Sequence, residues 1–407
     1  MGILDVEGLH IDFATEKGPL HAVRGVDFSL QEGEVLGIVG ESGSGKSVTA
    51  HSTMRLLPSN TNYTGGDVRY RGQSVFALER EELRRLRGPE IAIIFQEPGR
   101  SFDPIYTIGK AMAETIRSHE PELSEAEIYE KSVRLLKETN VPFPEDRLSN
   151  YPHQFSGGLL QRIMIALALA SDPKVLIADE PTTSLDVTIQ AGIIDLLLRL
   201  KDERNLSIIF ITHNLALISG IADRIVVMYA GLVMEQGSAE AVLTSPRHPY
   251  TRALLDSILD LGQHYTDTPI AAPSGTVPDP YRPEAGCPFA PRCPLAAPAC
   301  REAVPPIAED PAPPPGTAAA RHRGGAEAPG GPAAGRDREA EPPIAEGPAA
   351  APDGAARRHR GGAEAPEGPG GPAAGPDRGG GPGRGAPPGG AEHAAHVHRC
   401  RFPGVKE

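Results

Sequence analysis

The sequence lacks three features that mark common classes of protein: a cysteine-rich framework, a long apolar run and an excess of positive charge. Its 407 residues include only four cysteines, which indicates a reducing compartment rather than a disulfide scaffold. The longest apolar run, Ile163 to Ala170, falls far short of the roughly 20 residues that cross a bilayer. No basic patch and apolar segment open the chain, so no secretory signal is expected. A formal net charge of -13 argues against a general nucleic-acid binder.

Large apolar side chains are scarce over residues 302–392, which consist mainly of proline, glycine, alanine and charged residues. Such a segment buries too little surface to offset the entropy of ordering it. It contains a tandem duplication, in which Pro305 to Glu309 recurs as Pro342 to Glu346. A solenoid repeat would need apolar residues that stack on their neighbours. We therefore predict a disordered, duplicated linker.

One short stretch has the clearest chemical meaning. It matches the phosphate-binding pattern G-x-x-x-x-G-K-S/T at every fixed position. Glycines allow a nest of N–H groups that face one anion, Lys46 reaches the β- and γ-phosphates, and the Ser47 hydroxyl ligates Mg²⁺. A buried strand over 34–39 and a helix from Ser47 to Leu57 are expected on either side. The predicted nucleotide-binding residues are Gly40, Glu41, Ser42, Gly43, Ser44, Gly45, Lys46 and Ser47.

The segments on either side of this loop differ in pattern. Alternating apolar residues within the first thirty positions predict an antiparallel β-subdomain. Phe13 lies there and is a candidate to stack on adenine, although a plain core position is the commoner role for such a residue. Residues from about 108 to 139 show helical periodicity, with a capping-box pattern from Ser124 to Glu127. They predict a mostly helical subdomain, over about 97–170, inserted in the sheet domain.

Polar side chains follow three apolar strands that are predicted to be parallel, and ligands gather at that edge of an open α/β sheet. The amide oxygen of Gln96 suits Mg²⁺ and the attacking water. Asp179 suits Mg²⁺, and Glu180 suits a general base that polarises the water. His213 is placed to hydrogen-bond the γ-phosphate. Taken singly, Gln96 and His213 would more often be structural. The strands are 91–95, 175–179 and 207–212.

A second turn suited to anions comes later, where Ser156, Gly157 and Gly158 open a predicted helix. One nucleotide does not need two such sites from one chain. Two copies that face each other would place this turn on the γ-phosphate held by the partner. Asp186 lies shortly after the predicted strand 175–179 and is a candidate to act across the same interface.

This ordered set of motifs resembles the ATPase subunit of an ABC transporter over about residues 3–237. The resemblance implies an α/β fold of the P-loop NTPase type, ATP and Mg²⁺ as ligands, and two subunits that close head to tail on two ATP molecules. The matching positions are Gly40 to Ser47 (Walker A), Gln96 (Q-loop), Phe155 to Gly158 (signature), Asp179 (Walker B), Glu180 (catalytic), Asp186 (D-loop) and His213 (switch).

Finer features resemble the importer branch for oligopeptides, dipeptides and nickel. They are Phe95 to Pro98, Tyr151 to Gly158, His248 to Thr251 and Gly286 to Pro294. The resemblance implies an ATPase domain over 1–237 and a C-terminal extension over 238–301 and 393–407.

The same resemblance implies a place at the cytoplasmic face of the cell membrane. The implied partners are a second, paralogous ATPase, two membrane permease subunits and an extracytoplasmic substrate-binding protein, with no nucleic acid. Two alternatives stay open: the ATPase of a nickel or other non-peptide transporter, and a soluble ABC ATPase of translation or DNA repair. The single cassette and the short interval from Lys46 to Ser156 argue against the second alternative.

All the cysteines lie in the predicted extension, at Cys287, Cys293, Cys300 and Cys400. Without the linker the fourth would be near the others in sequence, and a proline-rich segment with little core benefits from a staple. Some dipeptide-importer ATPases resemble this arrangement, which implies a 4Fe–4S cluster held by four thiolates. Zinc and free thiols stay open as alternatives, with His396 and His398 as further zinc ligands.

Overall fold

The computed structural model describes residues 2–183, 185–258, 275–309 and 396–400. Its strands are β1 (Leu4–Thr15), β2 (Gly18–Leu30), β3 (Val35–Val39), β4 (Thr61–Tyr70), β5 (Gln73–Ser74), β6 (Ile91–Ile94), β7 (Val175–Asp179), β8 (Ser207–Thr212), β9 (Arg224–Tyr229), β10 (Leu232–Ser238), β11 (Ala308–Glu309) and β12 (Val397–His398). Its α-helices are α1 (Lys46–Ser52), α2 (Arg80–Leu86), α3 (Pro98–Ser101), α4 (Ile108–His119), α5 (Glu125–Glu138), α6 (Pro144–Arg147), α7 (Gly157–Ala168), α8 (Val187–Arg204), α9 (Leu215–Ile218), α10 (Ala239–Thr244) and α11 (Pro249–Asp256).

The larger of two sheets has the strand order β11-β12-β10-β9-β3-β8-β7-β6. Neighbours from β9 to β6 run parallel, and β10, β12 and β11 add to its edge in antiparallel pairs. The strands β3, β7 and β8 are buried at every residue, which explains their almost wholly apolar sequences. The predicted α/β fold is confirmed.

Apolar side chains fill both faces of this sheet. Along β3, Val35 packs in a cluster with Ile163 of α7, while Leu36 packs in a second cluster with Val26 of the smaller sheet. Alternate residues of a strand point to opposite faces, so one short strand joins the two cores. This double burial fixes the carboxyl edge of the sheet, where the phosphate loop begins.

The smaller sheet is antiparallel, with the order β2-β1-β4-β5, as the alternating pattern predicted. Helices α3 to α7 lie within the stretch predicted as a helical subdomain, and the capping box at the start of α5 is confirmed. There the Ser124 N–H donates to the Glu127 carboxylate over 2.8 Å. Among the described residues, no helix is long and apolar enough to span a membrane.

Helix α1 ends at Ser52, so the predicted extension to Leu57 is wrong. The Ser52 and Thr53 hydroxyls donate to the carbonyls of Thr49 and Ala50, each over 2.6 Å. Side-chain hydroxyls that take up carbonyls in this way compete with helix continuation. Arg55 then adopts a left-handed conformation with φ of 51°, which turns the chain away.

The C-terminal extension ends on the edge of the larger sheet. Strand β12 pairs with β10, and β11 pairs with β12 through Ala308 with His398 and Glu309 with Val397. Residues 308–309 therefore form sheet, although the composition placed them in the linker. Residues 302–307 of that predicted linker are also described, and residues 310–392 lie outside the described residues.

Candidate functional site

The phosphate loop joins β3 to α1 through glycines that no other residue could replace without strain. Gly40 has a φ of 154°, and a Cβ there would lie 2.1 Å from the Met228 carbonyl oxygen. Gly45 has a φ of 96°, and its Cβ would lie 2.7 Å from the Ala22 carbonyl oxygen. Both positions need glycine for the backbone angle and for the close approach.

Lys46 lies buried over this loop. Its Nζ donates to the carbonyl oxygens of Gly40 and Glu41 at 2.8 and 3.0 Å. Burial lowers the pKa of Lys46 below its usual value, and the carboxylates of Glu180 and Asp179 partly offset that effect. The ammonium therefore lies where it can neutralise phosphate oxygens held by the loop.

Asp179, the last residue of β7, joins the loop helix to the sheet edge. Its Oδ1 accepts a hydrogen bond from the Ser47 hydroxyl at 2.8 Å, and its Oδ2 lies 3.0 Å from Nε2 of His51. A carboxylate and a hydroxyl side by side are hard oxygen ligands that suit Mg²⁺. The sequence reading missed His51, although its spacing of four from Ser47 puts both on one helix face.

Glu180 gathers the remaining predicted catalytic residues around one carboxylate oxygen. Its Oε2 accepts from Nε2 of Gln96 at 3.0 Å and from the Thr183 hydroxyl at 2.8 Å, and lies 3.2 Å from Nδ1 of His213. Glu180 has a φ of 47°, a strained conformation of the kind found at functional sites. The structure thus brings Gln96, Glu180 and His213 together, and it adds Thr183.

A cavity of about 520 Å³ opens beside the phosphate loop, which is within the range of small-molecule sites. Gly43 and Gly45 lie at one side of it, and Phe13 lines it. The C-terminal extension contributes further lining through Val277, Pro278, Asp279, Pro280 and Pro283. The half-buried Phe13 packs against the apolar core and also lines this cavity, so its stacking on a base stays a prediction.

The C-terminal extension also forms hydrogen bonds with Glu41, near the start of the phosphate loop. The Arg292 guanidinium donates to both carboxylate oxygens of Glu41, at 2.8 and 3.0 Å, and to the Tyr229 hydroxyl at 3.0 Å. The backbone N–H of Glu41 donates to the Tyr250 hydroxyl at 2.9 Å. These hydrogen bonds hold Glu41 by its side chain and by its backbone at once, and the sequence reading missed them.

The Ser-Gly-Gly turn stands apart from the loop. Ser156 begins α7 without a capping hydrogen bond from its side chain, and it is exposed. A Cβ on Gly158 would lie 2.7 Å from Cγ2 of Ile189, so this glycine lets α7 and α8 approach. Within the described ranges, no hydrogen bond or ion pair joins the turn to the phosphate loop. Asp186 caps α8 by accepting from the Ile189 N–H at 3.0 Å, and a role for it across an interface stays a prediction.

The four cysteines, none of which forms a disulfide, line one small cavity together with His248. Its volume is about 20 Å³, which is room for roughly one water molecule. Burial raises the pKa of the Cys287 thiol to about 11. His396, a candidate zinc ligand, lies 2.7 Å from a Glu235 carboxylate oxygen through its Nε2.

Four thiols and a histidine are a donor set of the kind that iron–sulfur and zinc centres use. Among the residues that the structure describes, no group of three or more His, Cys, Asp or Glu side chains is arranged to hold a metal ion. A metal centre on these thiols therefore stays a prediction.

The glycine-rich phosphate loop joins β3 to α1, and both carboxylates, Asp179 and Glu180, lie at the end of β7, with β8 between the two strands. Together with a separate Ser-Gly-Gly turn, this arrangement defines a P-loop ATPase of the ABC type. The family model described as ABC transporter matches residues 23–183, and the one for the oligopeptide/dipeptide transporter C-terminal region matches residues 234–300. The chain belongs to the family of ABC transporter ATPases.

Relatives share most of its length. A probable peptide ABC transporter ATP-binding protein of Sinorhizobium fredii is 46% identical over 308 residues, covering 75% of this chain and 91% of the relative. The dipeptide transport ATP-binding protein DppD of Escherichia coli is 44% identical over 305 residues, covering 75% and 92%. A dimeric ATP-binding cassette solved in a post-hydrolysis state with ADP and Pi is 26% identical, with a TM-score of 0.52, covering 58% of this chain and 98% of that one.

Proposed function

We propose that this chain is the ATP-hydrolysing subunit of a peptide importer and works in a head-to-tail pair with a second ABC ATPase. The observation that carries the chemistry is the Glu180 carboxylate, which is held by Gln96, Thr183 and His213. Glu180 follows Asp179 at the end of β7, and the Asp179 carboxylate accepts a hydrogen bond from the Ser47 hydroxyl of the phosphate loop. A base, a metal-binding pair and a phosphate cradle therefore share one sheet edge.

Each of these groups has a distinct role in the proposed hydrolysis. The loop N–H groups and Lys46 bind the β- and γ-phosphates, and Ser47 and Asp179 hold Mg²⁺, which neutralises phosphate oxygens when bound. Glu180 orients the attacking water and accepts its proton. Gln96 and His213 fix the Glu180 carboxylate, and they exchange that contact for the metal, the water and the γ-phosphate when ATP is present.

The pairing proposal rests on the exposed Ser156 turn. Its backbone N–H groups open a helix and, within the described part of the chain, lack any link to the phosphate loop, so a second subunit is needed to complete the site. The related cassette bound to ADP and Pi is a dimer. In the proposed pair, Ser156, Gly157 and Gly158 face the γ-phosphate of the partner, and Asp186 lies beside them.

Peptide import and membrane partners follow from the relatives, whose names describe peptide and dipeptide transport. A groove of about 310 Å³ between the sheet and the helical subdomain suits a short helix from a permease subunit. Leu56, Phe95 and Phe102 line it, and Leu56 and Phe95 are exposed apolar side chains. This groove would seat the chain on the cytoplasmic face of the cell membrane beside two permeases. Nickel import is the second candidate within the same branch.

Two experiments test this function. Glu180→Gln should slow ATP turnover by about 100-fold or more while ATP binding persists, because the general base is lost; near wild-type turnover would refute the assignment of Glu180. Purification from membranes should recover two permeases, a second ATPase and a substrate-binding protein, and peptide uptake should depend on Lys46. Recovery of a ribosome-bound monomer would refute a transport function.

We also propose that the four thiols of the cysteine cluster ligate one metal centre, iron–sulfur or zinc. The support is that Cys400, which is distant in sequence, lines the same cavity as Cys287, Cys293 and Cys300. Anaerobic purification followed by measurement of iron, sulfide and zinc tests it. Iron with sulfide would identify a cluster, and zinc alone a single ion. Metal-free, folded protein with four titratable thiols would end the proposal.

A further inference from the structure

The cavity beside the phosphate loop is built from two parts of the chain that are far apart in sequence. One side comes from the small antiparallel sheet, including Phe13 and Leu20. The other side comes from the C-terminal extension, including Val277, Pro278 and Pro280. An ATPase domain that ended at residue 237 would leave this cavity open on that side.

Hydrogen bonds attach this part of the extension to β2. The His21 N–H of β2 donates to the Pro280 carbonyl oxygen at 3.0 Å. The Arg24 guanidinium donates to the Glu284 carbonyl oxygen at 3.3 Å and to the Ala230 carbonyl oxygen at 3.4 Å. Because β2 also packs beneath the phosphate loop, these hydrogen bonds fix the extension relative to the loop.

The location and the lining of the cavity indicate what it binds. Gly43 and Gly45 form its inner end, so a triphosphate seated in the loop would extend its nucleoside into the cavity. The aromatic ring of Phe13 is suited to stack on a purine, and the proline rings add apolar surface to the lining. Val277, which is 37% exposed, offers an apolar surface for the remaining edge.

We propose that residues 277–283 form one wall of the base and ribose pocket, so that the C-terminal extension determines nucleotide affinity. This inference rests on the proposed ATP site and deepens it, because it assigns the nucleoside half of that site to the extension. The phosphate half stays with the loop. The two halves can therefore be separated by comparing ATP with inorganic tripolyphosphate, which has no base or ribose.

The test uses the full chain with the substitution Val277→Asp, which puts a charge on the apolar wall. Calorimetry with ATP should show a dissociation constant raised by about tenfold or more. The dissociation constant of tripolyphosphate, measured by competition, should stay at its wild-type value. Val277→Leu keeps the wall apolar and should bind ATP with the wild-type dissociation constant. Ala285→Asp is the matched control, since Ala285 is exposed in the same extension and lines neither this cavity nor the cysteine cavity; it should leave both constants unchanged.

Other outcomes refute one claim or the other. If Val277→Asp leaves ATP affinity unchanged, or weakens ATP and tripolyphosphate equally, the wall assignment is wrong and the ATP site stands. If the wild-type chain binds neither ATP nor tripolyphosphate, the proposed function itself fails. Equal loss of ATP affinity in Val277→Asp and Ala285→Asp would show a general disturbance of the extension, and it would also refute the assignment of the wall. Far-UV circular dichroism checks that each variant is folded.

Discussion

Replacing Arg292 by methionine should loosen the phosphate loop from the C-terminal extension. The arginine side chain is 6% exposed, and that of Glu41 is 26% exposed. Each hydrogen bond to a charged group contributes about 1.5–3 kcal/mol net, and Arg292 makes two to the carboxylate. Water that reaches Glu41 will replace part of this, and methionine keeps the packing of the stem. We therefore expect a loss of about 2–4 kcal/mol in the free energy of unfolding.

The measurement is urea unfolding followed by far-UV circular dichroism, because the sequence has no tryptophan to serve as a fluorescent probe. The KM for ATP should also rise, because Glu41 is the second residue of the phosphate loop. Arg252→Met is the matched control. The Arg252 guanidinium donates to the Pro246 carbonyl at 3.1 Å, away from the loop, so its loss should cost about 1 kcal/mol or less and leave the KM unchanged.

A double-mutant cycle with Glu41→Gln decides whether the two side chains are energetically coupled. Once the arginine is gone, a neutral amide at position 41 no longer leaves an unpaired, partly buried charge, so the double variant should be more stable than the sum of the single losses predicts. The expected coupling is about 2 kcal/mol. Additivity to within about 0.5 kcal/mol would refute the reasoning that the ion pair fixes the loop.

Three further variants probe separate parts of the molecule. His51→Ala removes a partner of Asp179 and should raise the Mg²⁺ concentration for half-maximal ATP hydrolysis about tenfold; an unchanged midpoint in a Mg²⁺ titration would contradict this. Leu56→Asp should abolish co-purification with permeases yet spare ATP binding, whereas the exposed Tyr129→Asp should do neither. Burial lowers the pKa of His119 below 6.5, so unfolding free energy should fall as pH drops below 6.5, less steeply in His119→Gln.

Local patterns in the sequence were enough to predict the catalytic half of the site. The phosphate loop is specified by glycines at fixed spacings, and strands that are apolar throughout end where Gln96, Asp179 and His213 begin. Parallel strands bring their carboxyl ends to a common edge, so adjacency in space follows from order in the chain. This is why the position of Glu180 near its partners follows from the sequence alone.

Contacts between distant segments had no such local pattern. The Arg292–Glu41 ion pair joins residues 251 positions apart, and either residue alone is an ordinary charged side chain. The convergence of residues 277–283 on the base cavity depends on how the extension folds back. For the cysteines, spacing along the chain indicated a shared site, but it could not show that their cavity is only about 20 Å³.

The pairing of β11 with β12 gives this protein a natural point for insertion. Glu309 and Val397 are paired directly opposite each other, so the ends of the intervening segment are held together by the sheet. Bringing the ends of a loop together costs only about 0.6 kcal/mol more for each doubling of its length. The second copy of the duplicated sequence, which falls between these strands, therefore adds little to the cost of closing the segment. The same position would accept an affinity tag or a reporter domain without disturbing the ATPase.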